Sequence, residues 1–171
     1  IAPLVYFLQG DLEALVDACR LQTTLTHSNA LTVEASEFLA RVCVLVLQGA
    51  SPADAVWQVA GECFADTRIS GWVKDGYASR EQDSVVAIVG FGQNGQVPEA
   101  FPGMIHLIMK YENDPGEALT QAVMAGGDSA SRAMAVGMVL GAHLGTKAFP
   151  GKWLGGINRA PEILALLGKM S

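Results

Sequence analysis

Apolar residues recur in this chain at three- and four-residue intervals almost from end to end, and that period points to helices. Leu12, Leu15, Val16 and Cys19 follow it behind Gly10 or Asp11, either of which would cap a helix. From Ser28 onward, Leu31, Ala35, Phe38, Leu39, Val42, Leu45 and Val46 make a stretch apolar on more than one face. Such a helix belongs at the centre of a bundle, and Gly49 is placed to end it. Ser51-Pro52 then restarts the pattern, with serine as N-cap and proline at the first helical position.

The rest reads the same way. The spacing predicts a weaker helix over 70–79, a short apolar run of unassigned type over 84–89, a loop over 90–97 and a helix over 99–111. Asn113-Asp114-Pro115 caps a helix over 116–125, and Gly126-Gly127 breaks it. Asp128 or Ser129 opens a further helix to about residue 146. Residues 150–153 read as a loop or single turn, and 161–169 as a last short helix. Nothing else reads as strand, so the expected class is all-α, in one domain spanning 1–171.

Composition excludes several function classes. Half the residues are hydrophobic, so a core can form and disorder is ruled out. The formal charge is −6 and no basic patch appears, which argues against a nucleic-acid partner. The longest strongly apolar uncharged run, 133–146, falls short of the ~20 residues of a membrane span and is interrupted by glycines. Charged residues make up only 16%, thin cover for a small independent domain. The expectation is therefore a chain that forms a homo-oligomer or belongs to something larger, exposing an apolar face or burying it in a dimer. Ile1-Ala2-Pro3-Leu4 lacks both a methionine and a basic leader, and reads as the interior of a longer sequence. Cys19, Cys43 and Cys63 show no paired spacing and sit in apolar helical contexts. They are expected to be buried free thiols of a reducing, cytoplasmic compartment.

Gly90-Phe91-Gly92-Gln93-Asn94-Gly95 matches the dinucleotide pattern G-x-G-x-x-G. A helix opening at its second glycine would contain Pro98, which removes a hydrogen bond and clashes. The segment is expected to be a glycine-rich connection between helices. Gly126-Gly127-Asp128-Ser129-Ala130-Ser131 is more informative. Asp128 has three options there: it caps the following helix, or the exposed amides hold an anion, or its carboxylate ligates a hard cation with Ser131 one turn on. Ala133, Gly137, Gly141 and Gly145 recur every four residues, which predicts a closely packed neighbouring helix. His106 and His143 read as hydrogen-bonded core or boundary residues, and His27 as a structural residue at a helix start.

Taken together these segments resemble the ADP-ribosylglycohydrolase family. Leu25-Thr26-His27-Ser28 before an apolar helix carries part of the resemblance. Its specific part is Gly126-Gly127-Asp128 running into Gly137-Met138-Val139-Leu140-Gly141-Ala142, with Pro150 and Trp153 closing it. The resemblance covers about 26–153. It implies an all-α, orthogonally packed multi-helix bundle, and a hydrolase that uses Mg2+ or Mn2+ to remove ADP-ribose from modified protein side chains. It implies Asp128 as metal ligand, Ser131 as hydroxyl ligand, and Gly126, Gly127 and Ser129 against the substrate.

Two departures stand beside it. The family's second aspartate, which bridges paired metals, is here Ala130, and a methyl group coordinates nothing. The Ser/Thr-Asp-Asp tripeptide of the family's N-terminal portion occurs nowhere in the chain. The sequence therefore reads as a C-terminal portion of such a protein, its partners being ADP-ribosylated protein or free ADP-ribose together with a missing N-terminal half or a second copy. The alternative is a relative that binds ADP-ribose, or serves a structural role, without catalysis.

Overall fold

The computed structural model describes residues 1–168 and is all-α. Its helices are α1 Ala2–Leu8, α2 Leu12–Thr24, α3 Ala30–Leu47, α4 Pro52–Cys63, α5 Arg68–Ala78, α6 Ser84–Phe91, α7 Val97–Lys110, α8 Pro115–Met124, α9 Ser129–Leu144, α10 Gly151–Gly155 and α11 Ala160–Leu167. One 3-10 turn, Thr146–Ala148, follows α9. No strand occurs among the described residues.

Most helix starts are set by one side chain bonding a free amide of the first turn. Asp11 accepts from the Ala14 N–H, Ser51 from Asp54, Asp83 from Val86, Asp114 from Glu117 and Asp128 from Ser131. For α3 the cap is Asn29 rather than Ser28, accepting from Leu31. For α5 it is Thr67, so that helix starts two residues earlier than the apolar spacing indicates. The run over 84–89 is helical and continues through Gly90 and Phe91, because the Asp83 cap fixes a start that periodicity alone does not show. α1 has no counterpart in the sequence reading; it is short, and Pro3 sits in its first turn. The last helix ends at Leu167, and the predicted final residue Lys169 lies outside the described residues.

α3, α7 and α9 pack on one another at the centre, with α2 and α4 against α3, α5 and α6 against α7, and α8 against α9. Phe38 of α3 meets Phe101 of α7 edge-on with ring centroids 5.1 Å apart, and meets Phe64, just past α4, at 5.7 Å. Leu15, Ile69, Ile105, Ile108 and Leu140 are fully buried around them. Glu37 of α3 is buried between two arginines: its Oε2 accepts from Arg20 and its Oε1 from Arg41, at 2.8 and 2.9 Å. His106, without exposed surface, links three helices. Its Nδ1 lies 2.8 Å from the Ser79 hydroxyl and its Nε2 2.9 Å from that of Ser84, which in turn meets Tyr111.

Two expectations need correction. Cys19 and Cys43 are buried, but Cys63, the last residue of α4, is exposed. The glycine stripe does not mark close backbone packing. A Cβ at Gly137 or Gly141 would meet only the Leu119 or Phe149 side chain, at an ordinary 3.7 Å, and Gly145 is the cap that ends α9. Val123, Met124, Met134 and Leu154 are exposed, and α11 buries none of its residues. No helix among the described residues is long and apolar enough to cross a membrane.

Candidate functional site

The five residues singled out from the sequence lie together at one junction, where α8 ends and α9 begins. Gly126 and Gly127 both adopt positive φ, 70° and 64°, and turn the chain between the two helices. At Gly127 glycine is required twice over. L-residues avoid that conformation, and a Cβ would overlap the Gln93 carbonyl. Asp128 follows, half-buried, with Oδ1 accepting from the Ser131 N–H at 3.3 Å. Of the three options open to this carboxylate, capping is therefore realised. Ser131 is exposed and Ser129 half-buried, and the Ser129 N–H donates back to the Gly127 carbonyl at 2.8 Å.

The glycine-rich connection between α6 and α7 closes over this turn. The Asp128 N–H donates to the Gln93 carbonyl at 2.9 Å. The Gln93 side-chain amide donates to the Ala125 carbonyl. Gly95 lies against Asp128 so closely that a Cβ there would overlap Oδ2. Glu99, in the first turn of α7, braces the loop from the other side by accepting from the Asn94 N–H at 3.2 Å and its side-chain amide at 3.3 Å. With α7 opening at Val97 and no preceding strand, the segment is a connection between helices, as its proline predicts.

Beneath the turn lies Arg132, only 3% exposed. Its Nη1 donates to the carbonyls of Ala122 and Gly126, at 2.9 and 3.1 Å, and its Nη2 to Gly126 at 3.1 Å. Burial pulls the guanidinium below its ordinary pKa, and the charge of Asp128 pushes it back up. A cavity of about 220 Å³ opens beside this end, between the starts of α3, α7 and α9. Its walls include Gly95, Phe101, Met104, Ser131 and Arg132.

Sequence reasoning singled out neither Gln93 nor Arg132. Gln93 carries no signal, because its role lies in a contact 35 residues along the chain, from position 93 to 128. Arg132 does carry one: it is the sole arginine or lysine in a mostly apolar helix, four residues after the acid.

The donors at this end are a carboxylate and a hydroxyl, the hard oxygen ligands that Mg2+ and Mn2+ take. By donor type alone they suit a single hard ion. They do not fit a bridged pair, because Ala130 is exposed and offers only a methyl. No group of three or more His, Cys, Asp or Glu residues among the described residues is placed to hold a metal.

A family model described as ADP-ribosylglycohydrolase matches residues 1–170. No curated protein and no solved structure gave a match.

Proposed function

The chain belongs to the ADP-ribosylglycohydrolase family, and from that membership we propose that the α8–α9 junction is one wall of a cleft that removes ADP-ribose from modified protein side chains. The observation that carries this reading is the convergence of Asp128, Ser131 and the twin glycines under the Gln93–Gly95 loop, beside a cavity. Asp128 and Ser131 would hold one Mg2+ or Mn2+. Such an ion, when bound, makes a water more acidic and polarises the oxygens it contacts. Asp128 keeps a fixed rotamer through its bond to Ser131 and its contact with Gly95. Gly126, Gly127 and Ser129 would meet the substrate through their backbone and the small Ser129 side chain.

The experiment is release of ADP-ribose from an ADP-ribosylated protein by the protein that carries this sequence, with and without added Mg2+. Metal-stimulated release that Asp128→Asn abolishes supports the proposal. Binding of ADP-ribose without release supports a second reading, a non-catalytic relative. That reading is favoured by Ala130, which removes the ligand a second ion would need.

A further inference from the structure

Arg132 is the most unusual buried group of the site, and capping Asp128 does not explain it. A guanidinium taken out of water destabilises the fold unless its charge and its donors are met. Among the described residues no carboxylate lies within ion-pair distance of it. It bonds carbonyls instead, those of Ala122 in α8 and Gly126 just past that helix. A helix C-terminus carries partial negative charge and unpaired carbonyls, so a cation is favoured there.

That contact has a second consequence. Two donors, Nη1 and Nη2, converge on the one Gly126 carbonyl at 3.1 Å each. The peptide that follows is trans, so its N–H points opposite to its carbonyl. Holding the Gly126 oxygen inward therefore turns the Gly127 N–H outward. Gly127 is exposed, and its N–H has no partner among the described residues. Between two glycines a peptide plane has little intrinsic preference, and an external contact has to choose its orientation.

We infer that Arg132 is a positioning residue: by pinning the Gly126 carbonyl it presents the Gly127 N–H, next to Asp128, as a fixed donor to an oxygen of an ADP-ribosyl ligand. This rests on the reading that the Asp128 end faces that ligand. Lysine at this position keeps the charge under α8 but lacks the planar fork that grips one oxygen twice.

The test uses the whole chain. The amide of Gly127 is followed by its residual dipolar coupling, and ADP-ribose affinity by calorimetry. In wild type, adding ADP-ribose shifts the Gly127 amide resonance. In a folded Arg132→Lys variant the Gly127 coupling averages down, and affinity falls about tenfold, the worth of one hydrogen bond. A purely structural arginine would change the melting temperature and leave affinity alone in the folded variant. An unchanged coupling or an unchanged affinity in folded Arg132→Lys overturns the inference. Should that variant not fold, wild type decides, because binding that leaves the Gly127 resonance unmoved overturns it equally. Wild type that binds no ADP-ribose at all overturns the reading of the site itself, a different and distinguishable result.

Discussion

The backbone N–H of Asp128 donates to the carbonyl of Gln93 at 2.9 Å, so the turn that carries the acid and the glycine-rich loop before α7 are joined by a main-chain bond. Neither side of the site is positioned alone. The loop is held by Glu99 and the turn by Arg132, and the bond between them fixes how far apart they stand.

Gly127→Ala tests that join. The substitution forces a side chain into positive φ and against the Gln93 carbonyl. It is expected to destabilise the protein by about 2 kcal/mol or more. ADP-ribose binding should fall further than the same loss of stability causes at a remote site. Chemical denaturation and calorimetry on the same samples measure both.

Ala130→Asp tests the missing ligand. Position 130 is exposed in the first turn of α9, where an added carboxylate is favoured by the helix dipole. The variant should fold as stably as wild type and bind Mn2+ more tightly, read by the loss of the free-ion paramagnetic resonance signal. Equal Mn2+ affinity in the two proteins would show that residue 130 does not face the cation site.

His106 gives the fold a pH dependence. Burial, and then the nearby Lys110 charge, hold its pKa down at about 4, against an ordinary 6.5. The imidazole is neutral in the folded protein and becomes protonated on unfolding below pH 6.5. Its contribution is therefore fully present above that value and is lost as pH falls toward 4. The full span corresponds to about 3 kcal/mol. Urea midpoints measured between pH 7 and 4 should drop more steeply for wild type than for His106→Asn.

The cysteines should differ in reactivity. Burial pushes the Cys43 thiol up to about 12 and raises that of Cys19, while Cys63 is exposed. A thiol reagent at neutral pH should modify Cys63 rapidly in the native protein, and Cys19 and Cys43 only after denaturation. Rapid modification of Cys43 in the folded state would contradict the packing of α3.

Much of this architecture is legible in the sequence, and the limits of that reading are physical. Ser51-Pro52, Asp114-Pro115 and Asp128 announce their helices because a cap is a local interaction, complete within four residues. α6 is not legible by period, since eight mostly apolar residues look alike as strand or helix, and the Asp83 cap decides. The five candidate residues are neighbours in sequence, so their meeting at one turn needs no tertiary knowledge. What completes the site is non-local: Gln93, Gly95 and Glu99 come from another part of the chain. The glycine stripe misled because it is explained by the Leu119 and Phe149 side chains and by a cap, rather than by a helix backbone.

Calorimetric titration of wild type and Asp128→Asn with ADP-ribose, each with and without Mg2+, tests the central proposition most directly. Mg2+ is expected to strengthen binding to wild type, and this gain to disappear in Asp128→Asn while the variant stays folded. Affinity in wild type that is the same with and without the ion, or a metal effect that survives loss of the Asp128 charge, would contradict it.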